Sequence, residues 1–210
     1  MRRSLASPSA LLLLSVIVVS FVDLHGAPAF ALDPSQITAA AHDLADAADS
    51  ETKYGQDASG QTHCSEFVRD LVQNLLQQTR ADMQGQAKDQ YDALTSNTAD
   101  WAALDFSDNQ QAVFAQAQQL ANEGTLVVVA WKKPLPEAGN TGHIAVVVPG
   151  TVEHSATWNG DVPMIAQAGK KNARDQADEA NKSAFAKLKL SWGFTPTEGA
   201  TGMEFFKYTH

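Results

Sequence analysis

Cysteine is almost absent from this chain, which has one, Cys64, in 210 residues. A disulfide framework is thereby excluded, and so is a zinc site built on paired thiolates. Histidine is scattered at His25, His42, His63, His143, His154 and His210, with no His-x-x-x-His spacing, so no metal is expected. The phosphate-loop pattern is missing as well, because Met164 stands where the first glycine ahead of Gly169-Lys170 is required; no cofactor is expected. The carboxylates form no recognisable pair of the kind a glycosidase needs. Basic residues are outnumbered 15 to 24, for a formal net charge of −9, which argues against nucleic acid and against anionic lipid as partners. Internal repeats and heptads are absent. Long hydrophobic runs are limited to Leu11–Val22, shorter than the ~20 residues of a membrane-spanning helix.

That one run has the context of an export signal. Arg2 and Arg3 form a basic start, Leu11–Val22 the apolar segment, and Ala29-Phe30-Ala31 a small-x-small cleavage site, so residues 1–31 are expected to be a signal peptide cut after Ala31. The Arg2-Arg3 pair leaves a twin-arginine route open beside ordinary secretion. The mature protein is then secreted or periplasmic, with no membrane span. Its domain plan is an N-terminal helix and lead-in over 32–53, followed by one domain over 54–210. In an oxidising compartment cysteines usually come in pairs, so an odd one implies an intermolecular bridge or a reactive thiol.

Helices dominate the first half. Asp33 and Pro34 suit the cap and first position of a helix carrying Ile37, Ala40, Ala41, Leu44 and Ala47. His42 on this helix reads as a surface residue. A polar, glycine-punctuated loop over 50–62 carries Tyr54 and leads into Cys64. Beyond it Phe67, Val68, Leu71, Val72, Leu75 and Leu76 form an apolar stripe nearly three turns long, the strongest helix signal in the chain. Residues 80–107 offer only isolated anchors. Asp108 is expected to cap a helix through Val113, Ala117 and Leu120, closed by Gly124.

Strands follow. Thr125–Trp131, His143–Val148, Val162–Ala168, Leu188–Phe194 and Met203–Tyr208 are β-branched or apolar runs bounded by proline and glycine, with a charged, alanine-rich stretch over 173–186. Helices first and strands second indicate an α+β fold with an antiparallel sheet.

Cys64 opens the striped helix. Helix starts offer backbone N–H groups and the positive end of the macrodipole, both of which favour thiolate. A buried structural thiol is the competing reading. A nucleophilic cysteine requires a base, and the base an orienting group. His143 begins a strand after a glycine loop and is the histidine best suited to serve; His154 lies in a turn. An antiparallel hairpin of 143–148 with 162–168 sets Val148 near Val162 or Pro163 and His143 near Gln167 or Ala168. Gln167 is then the orienting candidate and Asn172 its substitute.

Tyr54-Gly55, His63-Cys64-Ser65-Glu66-Phe67-Val68, Gly142-His143-Ile144-Ala145-Val146-Val147 and Ile165-Ala166-Gln167-Ala168-Gly169, in this order, resemble the NlpC/P60 and CHAP superfamily of papain-like cell-wall hydrolases. The resemblance runs from Tyr54 to Tyr208. It implies a papain-like fold with N-terminal helices packed on a central antiparallel sheet. It further implies a cysteine amidase or endopeptidase acting on peptidoglycan or muropeptides. Cys64 becomes the nucleophile, His143 the base and then acid, and Gln167 the third member. The Cys64 amide contributes to the oxyanion hole, and Tyr54, Ser65, His63 and Asn172 are substrate or oxyanion candidates. Two departures stand out: His63 replaces the usual Asp or Asn, and glutamine is not a common third residue.

Related permuted lipid acyltransferases place histidine before cysteine, the reverse of the order here. A catalytically silent exported binding or inhibitory module on the same fold is the non-enzymatic alternative. No wall-binding repeat is visible, which fits such a module or an enzyme served by a targeting or inhibitor protein.

Overall fold

A computed structural model describes residues 31–47, 49–55, 58, 63–105, 109–134, 142–168 and 188–210. The signal segment ahead of Ala31, Asp108, Asn172 and the stretch over 173–186 lie outside the described residues. Among those described, no helix is long and apolar enough to cross a membrane.

Helix α1, Pro34–Asp46, starts as its sequence dictates. Asp33 Oδ1 accepts from the Ser35 amide at 2.8 Å and Pro34 takes the first turn, where its missing N–H costs nothing. Its buried side, Ile37, Ala41 and Ala45, joins the core shared with the striped helix α3, Cys64–Leu76. Short α2, Ser50–Tyr54, precedes α3. The α3 stripe buries Phe67, Val68, Leu71, Val72 and Leu75, each contributing about 1.5–3 kcal/mol if fully withdrawn from water.

Helix α4, Ala87–Ser96, and strand β1, Trp101–Ala103, occupy the stretch that carries only isolated anchors. Their weak signal has a cause: α4 buries Ala87, Gln90 and Leu94, one of them polar, and β1 is three residues long. Helix α5, Gln110–Asn122, is capped by Asn109, whose Oδ1 accepts from the Gln111 and Ala112 amides at 3.0 and 3.2 Å. The cap is thus one residue beyond Asp108, since asparagine and aspartate serve equally well. Gly124 closes this end at φ +85°, and a Cβ there would lie 1.8 Å from the Leu32 carbonyl oxygen. Only glycine permits the lead-in to dock so closely; the Leu32 amide donates to the Gly124 carbonyl at 2.9 Å.

The remaining strands are β2 (Val127–Lys132), β3 (Gly142–Val147), β4 (Glu153–Ser155), β5 (Gly160–Val162), β6 (Met164–Ala166), β7 (Leu188–Lys189) and β8 (Glu204–Tyr208), with helix α6, Pro196–Ala200, before β8. Six form one sheet in the order β1-β8-β2-β3-β6-β7, and β4 and β5 make a separate ribbon. Every described pairing is antiparallel, so the class is α+β.

Four expectations need correction. The run Val162–Ala168 is not one strand: Pro163 has no N–H for the ladder, so Val162 pairs in the ribbon while β6 pairs with β3. The register is Val146 opposite Ala166 and Val147 opposite Ile165, and the Val148 amide donates to the Met164 carbonyl at 2.9 Å. Val148 therefore faces Met164 rather than Val162 or Pro163. The run Leu188–Phe194 leaves the sheet after Lys189 and tightens into a 3-10 turn, Leu190–Trp192. His154 is on β4 rather than in a turn, because the ribbon reverses over 156–159.

Both sheet faces are covered. Ile144, Val146, Val148, Ala166 and Phe206 pack with α1, α3 and α4, whereas Ala145, Val147, Ile165 and Phe205 pack with α5, Trp158 and Phe194. Burial on both sides explains why β2 and β3 read as unbroken apolar runs instead of alternating ones.

Candidate active site

Cys64 is the first residue of α3, 3 % exposed, in the core layer of that helix. The preceding residue, His63, occupies the cap position without a capping side-chain bond; its Nδ1 pairs with Glu66 Oε2 at 3.0 Å. The stripe of α3 anchors the helix in the core. The thiol is consequently fixed at the end of a rigid element, where the helix field favours its ionised form.

His143 is the second residue of β3, directly opposite Trp131 on β2. Its ring packs against Phe194, centroids 4.8 Å apart and planes tilted by 57°. Nε2 donates to Gln167 Oε1 at 2.5 Å. An amide oxygen only accepts, so the proton of the neutral ring is on Nε2 and Nδ1 is the nitrogen left to meet the thiol. The Cys64 side chain is close enough to act on the imidazole by charge and hydrogen bonding. The pair joins the two layers of the fold at the start of β3, because Cys64 belongs to the α3 layer and Phe194 to the α5 layer.

Burial opposes a charge on His143. The Cys64 charge, the hydrogen bonds to Cys64 and Gln167 and the charge of Glu198 act the other way, and together they hold its pKa above the ordinary histidine value. Thiol, imidazole and orienting amide in series are what nucleophilic cysteine chemistry requires.

Gln167 follows β6 and is 3 % exposed, so its amide is a buried group with a partner instead of a solvated edge residue. Its diagonal relation to His143 follows from the register: Gln167 comes opposite Ala145, one alternation from His143, which keeps both side chains on one face. Asn172 lies outside the described residues.

Other candidates sit elsewhere. Tyr54 is buried, donates to Asp70 Oδ2 at 2.8 Å and meets Phe67 edge-on with centroids 5.3 Å apart. Burial, offset in part by Lys53, pushes its hydroxyl pKa up to about 12. It clamps α2 to α3 nearly two turns past Cys64. The Asp70 carboxylate is disfavoured by burial, yet Lys53, Tyr54 and Arg69 outweigh that and hold its pKa below the usual range. Ser65 is buried too, and its carbonyl accepts from Gln90 Nε2 at 3.0 Å; the same nitrogen reaches the Met83 carbonyl at 2.6 Å. Gln90 thus ties the first turn of α3 to α4.

Two neighbours of the dyad carry no signal in the sequence. A Cβ at Gly193 would lie 2.0 Å from Gln167 Oε1 and 3.0 Å from His143 Nε2. Phe194, walling the imidazole, is braced by Trp158, whose Nε1 donates to the Phe194 carbonyl at 3.2 Å. Trp-Gly-Phe reads as the end of a strand until the fold brings it across the site. Next to it, Trp192 is exposed.

No protein-family model matches this chain, and no curated relative matches it.

Proposed function

We propose that the protein is an exported cysteine hydrolase of papain-like fold that cleaves amide bonds in peptidoglycan stem peptides or cross-links. The observation that carries the reading is the series Cys64, His143 and Gln167, brought together at the starts of α3 and β3 and just past the end of β6. Its cell-wall substrate and papain-like fold rest on the resemblance to the NlpC/P60 and CHAP superfamily, and its export on the signal-like N-terminus.

In the proposed reaction the Cys64 thiolate attacks the amide carbonyl carbon, and the carbonyl electron pair moves to oxygen. The Cys64 backbone N–H, at the positive end of α3, donates to that oxyanion. The His143 imidazolium gives its Nδ1 proton to the leaving nitrogen, the C–N bond breaks, and an amine departs from a thioester. Neutral His143 then takes a proton from water, which attacks the thioester and releases a carboxylate and the thiolate. Throughout, Gln167 holds Nε2 and hence the ring orientation.

Incubating the protein with muropeptides and reading new amine and carboxylate termini by mass spectrometry tests this. Cleavage is expected from wild type and lost in Cys64→Ala and His143→Ala. If wild type leaves every muropeptide intact, or Cys64→Ala cleaves equally well, the hydrolase reading is wrong and the silent binding module replaces it.

A further inference from the structure

The chain has four tryptophans, of which Trp101 and Trp158 are buried. The two that keep surface, Trp131 and Trp192, both stand beside His143, one placed by the sheet and the other by the turn that crosses the site. Trp131 is directly opposite His143 in the β2–β3 register, so both side chains leave the same sheet face, and its Nε1 donates to Thr201 Oγ1 at 3.1 Å. Trp192 ends the 3-10 turn. It is 42 % exposed, the one large apolar side chain left in solvent among the described residues. A single exposed apolar residue is ordinary on a protein surface. This one is bonded in sequence to Gly193, where a Cβ would lie 3.0 Å from His143 Nε2. One trans peptide separates the two Cα atoms, which puts the Trp192 Cα within about 9 Å of the ring nitrogen.

The turn that holds Trp192 is fixed on both sides. Leu190 is fully buried, its amide donates to the Pro163 carbonyl at 2.9 Å, and its carbonyl accepts from the amides of Gly193 and Phe194 at 3.0 and 2.9 Å. Phe194 is buried against the imidazole and tied to Trp158. An indole on such a frame has only its own side-chain torsions to order when a ligand stacks on it, so contact there carries a small entropic cost.

We propose that Trp192 is a substrate-binding platform that stacks on a sugar ring of the muropeptide, so that the preferred substrate is a stem peptide still attached to its glycan. The proposal rests on the hydrolase reading and narrows its substrate class. A muropeptide offers two kinds of surface, a stem of small and acidic residues and neutral sugar rings whose C–H groups line one face. The negative π-face of an indole attracts those positively polarised hydrogens and gains nothing from a carboxylate. A formal net charge of −9 likewise works against holding the ligand by its acidic stem. The sequence shows no wall-binding repeat, and Trp192 supplies a hold on the glycan from within the catalytic domain.

The test is calorimetric titration of Cys64→Ala, which lacks the proposed nucleophile, with a disaccharide stem peptide and with the same stem peptide lacking its sugar. Trp192→Ala and Trp192→Leu are compared on that background. The disaccharide is expected to tighten binding about tenfold, the scale of one ring stacked on an aromatic face. Trp192→Ala is expected to erase that gain while Tm and affinity for the bare stem stay unchanged. Trp192→Leu, apolar but without a π-face, is expected to lose it too. The proposal is overturned if Cys64→Ala binds the two ligands equally or binds neither, or if either Trp192 variant keeps the gain. Equal weakening toward both ligands in Trp192→Ala overturns it as well, since the indole would then contact the peptide. Binding is read here without turnover. A sugar-dependent gain that requires Trp192, in a protein whose wild type cleaves no muropeptide, therefore rejects the hydrolase reading alone, and cleavage by wild type without such a gain rejects the platform alone.

Discussion

Oε1 of Gln167 occupies the space that a side chain on residue 193 would fill: the amide oxygen is bonded to His143 Nε2 at 2.5 Å and lies 2.0 Å from where a Cβ on Gly193 would stand. Gly193→Ala must therefore displace the amide or the 3-10 turn. Overpacking of this kind costs about 1–3 kcal/mol. The coupling is specific, because truncating Gln167 clears the space. Denaturant melts of Gly193→Ala, Gln167→Ala and the double variant are expected to be non-additive, with Gly193→Ala costing less on the Gln167→Ala background. Simple additivity of the two losses would show that the alanine methyl finds room elsewhere.

Removing the Gln167 amide leaves Nε2–H of a partly buried ring without its acceptor, a loss of about 1–3 kcal/mol. If that falls on the oriented ring of the proposed hydrolase, kcat/KM for muropeptide cleavage drops roughly 10- to 100-fold in Gln167→Ala. Gln167→Glu keeps an acceptor and adds a charge, so the alkaline limb of its pH–rate profile is expected at higher pH than in wild type. An unchanged kcat/KM in Gln167→Ala would assign the amide to packing.

The helix stripe at Phe67–Leu76, the Asp33 cap and the glycine at 124 were legible because each is a local rule: periodicity, an acceptor before a first turn, and a left-handed closing residue. Cys64, His143 and Gln167 were nameable as candidates from their placement on such elements. The break at Pro163 was present in the sequence, and only the sheet reveals that Val162 pairs with Glu153 instead of continuing toward β3. Gly193, Phe194 and Gln90 were not legible. Their roles depend on groups distant in sequence, Gly193 on Gln167 and Gln90 on Ser65, and no periodicity records such contacts. Tyr54 shows the converse, since a tyrosine on a loop-like stretch gives no indication that Asp70 will bury it.

Tyr54→Phe separates anchoring from substrate contact. The hydroxyl donates to the Asp70 carboxylate at 2.8 Å, and Asp70 keeps Lys53 at 2.8 Å and Arg69 at 3.0 Å after its loss. The phenyl ring still packs on Phe67. Loss of one bond to a charged acceptor costs on the order of 1.5–3 kcal/mol, reduced here because the acceptor retains partners. Stability is expected to fall while KM for any substrate stays at its wild-type value; a raised KM with unchanged Tm would return Tyr54 to the binding surface.

Acid stability should depend on a buried cluster around Asp82. Asp82 is buried, and its carboxylate accepts from Arg80 at 2.5 Å, from Trp101 Nε1 at 2.8 Å and from Asn97 Nδ2 at 3.0 Å. Arg80 also pairs with Asp100, which joins the 3-10 turn Ala81–Met83 to the residues ahead of β1. Burial raises the pKa of Asp82, but the bonds from Arg80, Trp101 and Asn97 outweigh it and leave the value lowered; Asp100 is lowered chiefly by Arg80 and then by Asn97. The sign follows from linkage. A carboxylate whose folded value is below its unfolded value of about 3.9 contributes its stability above that pH and loses it as pH falls through the folded value. Wild type is therefore expected to lose stability steeply on acidification below about pH 4. Asp82→Ala leaves Arg80 and the Trp101 N–H short of an acceptor and should cost about 3–5 kcal/mol at neutral pH. Asp82→Asn, which preserves an acceptor oxygen without the charge, should cost less and flatten the acid limb. Urea melts across pH 2–7, expected to bracket the carboxylate range, measure both. An acid limb as steep in Asp82→Asn as in wild type would place the titrating groups outside this cluster.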